Sequence, residues 1–389
     1  MQLYATNSRS IVEIKSRTDD SFLMQVCGPT VYDGLHMGHV KTFVFFDVLA
    51  RVISHSGQKV RFILNFTDID ENVFKKAEKE GLPFQRLAEK YCAKALDSLR
   101  TLNIVTPTCY PRASEYVQDS IEMIKKLIAK KMAYESNGNV FLEYGKILDH
   151  GPVSGLKYER LMDLRFDSYH EKRGTVDFLL WYKCNGKPYW QSPWGLGRPA
   201  WHIQDAIMSS KNFGGLHDLH GGAIELVFPH HDFLECLGRA IEGVSPYVSY
   251  WVHTCVLMIR GKKMSKSDGN VVYVDQILQK YSPEAIRVYF LSMNRESVVD
   301  FRIDELEKCE EAVKEIKLDL DRAKGSFSPP SNELLSLKDE FYQSVSSNMN
   351  ISNALSIFFT MVRLVSKEER GFQTLTEIMN VLGLEKLLA

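Results

Sequence analysis

No stretch of the 389-residue sequence approaches the roughly eighteen consecutive apolar residues that a membrane helix needs, and no tract is repeated or low in complexity. Neither a membrane-spanning nor a solenoid architecture is therefore expected. An excess of charge is also missing: 48 Lys and Arg stand against 49 Asp and Glu, a formal net charge of −1. Global charge thus neither selects nor excludes a polyanionic partner, which needs only a local basic surface. Paired cysteines are absent too. The seven, Cys27, Cys92, Cys109, Cys184, Cys236, Cys255 and Cys309, are odd in number with no CxxC spacing, which argues against a disulfide framework and fits a reducing compartment. From Met1 to Asn7 there is no basic segment leading into an apolar run, so a cytoplasmic location is expected.

What is present is a globular composition, 44% hydrophobic, 25% charged and 11% aromatic. At roughly 150 residues per domain the length suggests two to three domains. The apolar run from Phe22 to Cys27 stops at Gly28-Pro29, Val40 to Ile53 repeats apolar residues at helical spacing, and Lys59 to Asn65 reads as a second strand. Strand, helix and strand in this order predict a βαβ unit of a parallel sheet, with its ligand at the carboxyl ends of the strands, here between Cys27 and His39. Helices are expected over 70–81, 84–103 and 113–131, and a hairpin over 133–144 around Asn137-Gly138. From there to Pro199 the sequence reads as irregular, with a Gly-, Pro- and Trp-dense stretch from Gly186 to Trp201. Helices are expected again over 304–324, 332–348, 352–367 and 375–388, with a linker at Gly325 to Ser331.

His36-Met37-Gly38-His39 falls where the first strand hands over to a helix. Imidazoles donate hydrogen bonds to phosphate oxygens, Gly38 lets a flat base approach the backbone, and a helix start adds free N–H groups. Two helix-capping or core histidines are the plainer alternative. Lys263-Met264-Ser265-Lys266-Ser267 supplies two lysines on a short loop, able to neutralise a triphosphate as charge grows on the α-phosphorus.

This pair of strings, about 225 residues apart, resembles the two signatures of class I aminoacyl-tRNA synthetases. Cys27-Gly28-Pro29-Thr30-Val31-Tyr32-Asp33, Asn65-Phe66-Thr67-Asp68-Ile69-Asp70, Ser192-Pro193-Trp194-Gly195, Arg198-Pro199-Ala200-Trp201-His202 and Phe228-Pro229-His230-His231 narrow the resemblance to the cysteinyl-tRNA synthetase family. The resemblance implies an α/β fold: a Rossmann-like catalytic domain (1–131 and 200–260), a connective insertion (132–199), a lysine-loop and stem-contact segment (261–303) and a shortened α-helical C-terminal domain (304–389). It further implies ATP with Mg as cofactor and activation of cysteine to cysteinyl-adenylate. Transfer then goes to tRNA through its acceptor end, with no membrane and no obligate protein partner.

By the same resemblance His36, His39, Lys263 and Lys266 are catalytic, with Gly38, His36, His39 and Lys266 on ATP. Cys27, Gly28, Thr67, Trp201 and His230 would bind the amino acid. Taken alone, Thr67 reads as a turn residue, Trp201 as a core aromatic, and Asp68 and Asp70 as either anchors for Thr67 or helix-start carboxylates. Glycines in His220-Gly221-Gly222-Ala223 are expected to let adenosine or an aminoacyl group approach.

The family holds zinc with two cysteines, a histidine and a glutamate, and the ion takes the substrate thiolate; zinc prefers sulfur and deprotonates a thiol. Two of those positions depart here, reading Asp205 and Leu234. The implied metal set is therefore Cys27, His230 and Asp205, with Asp232, Glu235 and Cys236 as nearby substitutes, a harder and weaker site. The sequence also stops where the family usually continues into an anticodon-reading module. Two alternatives follow from these departures: a paralogous ligase that passes the activated amino acid to an amine of a small molecule or protein, or a synthetase-like binding or regulatory protein.

Overall fold

The computed structural model describes residues 1–164, 167–186, 188–264, 269–324 and 328–388. Ser265 to Asp268, and with them the expected site residue Lys266, lie outside the described residues, as does part of the Gly325–Ser331 segment.

The strand Phe22–Val26 is buried at all five positions, the pattern of a parallel strand covered on both faces. Helix Met37–His55 crosses over to the parallel strand Val60–Leu64, in register from Phe22 opposite Val60 to Val26 opposite Leu64. On its other edge Phe22–Val26 pairs, again in parallel, with His217–Ala223, which pairs with Val248–Thr254. The chain thus leaves its first core strand toward one side and later returns on the other. Between Phe22–Val26 and His217–Ala223 this makes a switch point, where a crevice opens at the carboxyl ends of the strands. Cys27 follows Val26 directly at that crevice, and its N–H donates to the Gly221 carbonyl at 3.0 Å.

His217–Ala223 shows no apolar alternation, yet it is an inner strand. Its buried Asp218 is satisfied internally: the carboxylate accepts the N–H groups of Arg17 and Leu23, both at 2.7 Å. A Cβ on Gly221 would come within 2.2 Å of the Phe46 ring. Gly221 therefore lets helix Met37–His55 lie close on the sheet.

The later part of the stretch expected to be irregular, from Phe178 on, is a sheet. Phe178–Lys183, Gly195–Pro199 and Trp190–Ser192 join the hairpin Ala133–Ser136 and Asn139–Leu142 in five antiparallel strands. Gly197 is paired with Lys183 and Trp190, and the position requires glycine because a Cβ there would meet the indole nitrogen of buried Trp181 at 2.2 Å.

Helices Ile303–Ala323, Asn332–Ser346, Ile351–Glu368 and Phe372–Leu382 close the chain. The last ends six residues sooner than expected because Gly383, at φ 68°, reverses the backbone. Arg287 fastens this end to the catalytic helix: its guanidinium donates to Asp47 at 2.9 Å and to the Leu382 carbonyl at 2.8 Å, with all but about 1% of it buried.

Candidate active site at the strand switch point

His36 caps helix Met37–His55 from an extended backbone conformation. Its Nδ1 accepts the His39 N–H and the His39 Nδ1 accepts the His36 N–H, each at 3.3 Å, and the rings stack with centroids 3.6 Å apart. A neutral imidazole that accepts through Nδ1 carries its proton on Nε2, so each ring presents a donor. Both rings line a cavity of about 300 Å³ with Gly38, Glu225, Lys263 and Met264. Gly38 is tight against its neighbour, since a Cβ would stand 3.1 Å from the His36 ring.

The segment just beyond the lysine loop is zipped to the histidine pair. The Met37 N–H donates to Val272 O at 3.0 Å and the Val274 N–H to Leu35 O at 2.9 Å. Lys263 ends the short strand Lys262–Lys263, and its ammonium pairs with Glu225.

The same cavity is lined by Cys27, Gly28, Thr67, Trp201 and Asp205. A Cβ on Gly28 would lie 1.7 Å from the Asn65 carbonyl oxygen, so this backbone contact requires glycine. Thr67 is held by its N–H to Pro29 O at 3.1 Å and by its carbonyl to the Val31 N–H at 3.0 Å. Asp68 accepts from the Ser114 N–H at 2.8 Å, and Asp70 caps the helix Glu71–Glu80. Asp68, buried next to Thr67, ties that loop to Ser114, whereas Asp70 is a helix-start carboxylate. Trp201 is 41% exposed, not a core aromatic, and stacks on His230 at 3.9 Å.

Beneath this lining lies a knot of buried polar groups. Asp205 Oδ1 accepts from Asn65 Nδ2 at 3.0 Å and Oδ2 from His230 Nε2 at 2.9 Å. The Cys27 sulfur is 3.5 Å from Asp205 Oδ2, 3.4 Å from His220 Nε2 and 3.2 Å from His231 Nε2. Each ring is held from behind: His231 by His253 at 2.7 Å, His220 by His217 at 3.1 Å, and His230 by His202 at 2.9 Å. Burial holds His202, His220 and His231 well below the usual imidazole range, and His217 and His253 at about 3, so these rings are neutral. Burial, and after it the Asp205 charge, pushes the Cys27 thiol up.

The structure brings Cys27, Asp205 and His230 together as expected, and adds His231. Ligand atoms of Cys27, His230 and His231 lie within 4.8 Å of one another, all buried. Sulfur, imidazole and carboxylate are donors that zinc accepts, so the residues present fit that ion. The nearby substitutes are otherwise engaged. Asp232 accepts from the Val153 and Ser154 N–H groups at 2.7 and 2.9 Å, and Glu235 from Tyr247, Val248 and Trp251. Leu234 and Cys236 are fully buried in an apolar cluster. His231 and Asn65 carry no local signal of these roles, since their partners Cys27 and Asp205 lie 204 and 140 positions away in sequence. A wider groove of about 900 Å³ between residues 71–85 and the insertion sheet is lined by none of these groups.

Residues 13–311 match the family model of the tRNA synthetases class I (C) catalytic domain. The chain is 36% identical over 382 residues to a cysteine-tRNA ligase of Thermococcus onnurineus, covering 94% of this chain and 80% of that one. It is 42% identical over 303 residues to a cysteine-tRNA ligase of Pyrococcus abyssi, covering 77% and 63%. Among solved structures, the fold is similar to a leucyl enzyme of Agrobacterium radiobacter in a ternary complex with tRNA, at TM-score 0.67 and 10% identity over 95% of this chain and 84% of that one. It is likewise similar to methionyl-tRNA synthetase of Mycobacterium tuberculosis with methionyl-adenylate, at TM-score 0.65 and 14% identity over 94% and 90%.

Proposed function

The chain belongs to the class I tRNA synthetases, in the cysteine-tRNA ligase family, and on that premise we propose which of its residues carry each step of ATP-dependent aminoacylation. ATP lies with its phosphates at His36 and His39, whose Nε2–H groups donate to phosphate oxygens, while Gly38 and the helix start keep the backbone close. The cysteine carboxylate attacks the α-phosphorus and pyrophosphate leaves. Lys263 and Lys266 neutralise the charge that peaks in that transition state, with Mg on the departing phosphates. For Lys263 this requires exchange of its partner, from the Glu225 carboxylate to the incoming triphosphate. A terminal ribose hydroxyl of the tRNA acceptor end then attacks the adenylate carbonyl, forming the ester and releasing AMP.

The observation that carries this reading is the sharing of one cavity by the histidine pair and by Cys27, Gly28, Thr67 and Trp201 at the strand switch point. One adenylate can therefore reach both groups of residues, which is the positioning that converts two bound substrates into near-attack neighbours. His230, stacked under Trp201, fixes that ring over the amino-acid end. Cys27 and His230 would hold zinc beside Asp205, and the ion would supply a bond to sulfur that serine or alanine cannot make. Without it, a methylene-scale difference in a pocket discriminates by only about 1 to 3 kcal/mol.

In domain terms we assign catalysis to 1–131 and 200–260, with the insertion 132–199, the loop and stem-contact segment 261–303 and the helical segment 304–389 around it. Among the described residues no helix is long and apolar enough to cross a membrane. We assign the activity to the cytoplasm, where such a ligase meets its tRNA. Pyrophosphate exchange across all amino acids, with and without total tRNA, tests the assignment: exchange driven by cysteine supports it, and exchange driven only by another amino acid refutes it.

A further inference from the structure

We propose that this chain builds its metal centre from Cys27, His230 and His231, with His231 in place of the carboxylate lost at Leu234 and Asp205 standing beside the trio. The proposal rests on the cysteine-ligase reading, which gives a thiophilic ion its reason to be here.

Three observations carry it. The first is spacing: with zinc–ligand bonds of about 2.0 to 2.3 Å, corners of a tetrahedron lie about 3.3 to 3.7 Å apart. Cys27 Sγ to His231 Nε2 is 3.2 Å and Cys27 Sγ to Asp205 Oδ2 is 3.5 Å, and all three ligand atoms of the trio converge within 4.8 Å. The second is donor count. A thiol has one hydrogen to give, yet an acceptor-only carboxylate and two imidazoles crowd the Cys27 sulfur within 3.5 Å. A cation accepting sulfur and nitrogen lone pairs satisfies this cluster where a lone proton serves only one contact. The third is support from behind. His231 Nδ1 meets His253 Nε2 at 2.7 Å, His253 Nδ1 meets Thr6 Oγ1 at 2.7 Å, and His230 Nδ1 meets His202 Nδ1 at 2.9 Å. These contacts can take the Nδ1–H of each ring and turn its Nε2 lone pair toward the ion, which for His230 means exchanging its 2.9 Å hydrogen bond to Asp205 for the metal. Three protein ligands leave a fourth position that Asp205 or a substrate thiolate can fill, as a site that binds substrate requires.

The test uses the full chain, stripped with a chelator and titrated with zinc against a chromophoric competitor, then loaded with cobalt for its thiolate charge-transfer and d–d bands. About one metal per chain is expected. His231→Gln and His230→Gln should weaken zinc by at least about tenfold and alter the cobalt bands, whereas His220→Gln, which removes a ring touching the same sulfur from outside the trio, should keep both. X-ray absorption on the unmodified zinc protein, which needs no variant to fold, should show one sulfur and two imidazoles. Failure to bind zinc, wild-type affinity in folded His231→Gln, or a single imidazole in the absorption spectrum would overturn the proposal. Cysteine-dependent pyrophosphate exchange is measured alongside. Exchange by protein that cannot hold zinc leaves the ligase reading intact and removes this site, while a loaded trio without exchange on cysteine removes the ligase reading alone.

Discussion

His36 and His39 hold each other, the Nδ1 of each ring accepting the other's backbone N–H at 3.3 Å while the rings stack at 3.6 Å. Each therefore positions its partner as well as serving the phosphates. His36→Ala and His39→Ala should each lower the exchange rate by about two to three orders of magnitude, the usual cost of removing one such donor. Because each loss also loosens the other ring, the double variant should lose less than the product of the two. A coupling of about 0.5 to 3 kcal/mol is expected in the cycle, and strict additivity would contradict the reciprocal contact.

Gly28 should tolerate no side chain. Its Cβ position is 1.7 Å from the Asn65 carbonyl, and Asn65 Nδ2 in turn holds Asp205 at 3.0 Å. Gly28→Ala is expected to displace both strand ends and lower the exchange rate about a hundredfold, the scale set by a misplacement of about 1 Å. A wild-type rate in that variant would show that the contact is slack.

The pairing of Arg287 with Asp47 ties the helical end to the catalytic helix. Both side chains are all but fully buried, and Arg287 also donates to the carbonyls of Leu382, Leu102 and Asn103. Asp47→Ala leaves the guanidinium buried without its counter-charge and should cost about 3 to 5 kcal/mol in urea unfolding. Burial works to raise the Asp47 carboxyl, but Arg287 and Arg51 together bring it below its ordinary value. Its contribution is thus present above the unfolded carboxylate value near pH 4 and is lost only as the pH falls through the lower folded value. The cost of Asp47→Ala should accordingly be the same at pH 6 and pH 8.

His217 loses stability in the same direction but in the higher range where histidines titrate. It is fully buried with its folded value at about 3, so between there and about 6.5 the unfolded chain binds a proton that the folded chain does not. Stability falls as the pH drops through that window. At pH 5.5 this one ring should lower stability by about 1.4 kcal/mol relative to pH 8, and His217→Gln should lack that component. Equal pH slopes for the two proteins in urea unfolding would contradict a neutral buried ring.

How far the sequence alone reached can be seen at particular residues. Phe22 to Leu64 reads correctly because apolar periodicity switches from strand to helix and back, and local pattern is enough for a βαβ unit. His217–Ala223 escapes such reading, since a strand written His-Asp-Leu-His-Gly-Gly-Ala owes its place to hydrogen bonds and ring contacts from distant segments. The strands Trp190–Ser192 and Gly195–Pro199 are short and glycine-bearing, and only the packing of Gly197 on Trp181 reveals why. At the site, Cys27, Thr67, Trp201, Asp205 and the histidine pair follow from motifs, whereas His231 and Asn65 emerge only when the chain is folded, because their roles lie in contacts to residues far away in sequence.

This crevice is proposed to make cysteinyl-adenylate and pass it to RNA. Charging of total tRNA with radiolabelled cysteine and ATP measures both halves in one assay, by acid-precipitable counts that base treatment releases. Wild-type protein is predicted to give base-labile, ATP-dependent counts, with the initial rate reduced at least about a hundredfold in His39→Ala. ATP-dependent activation of cysteine with no counts on any tRNA would contradict the account.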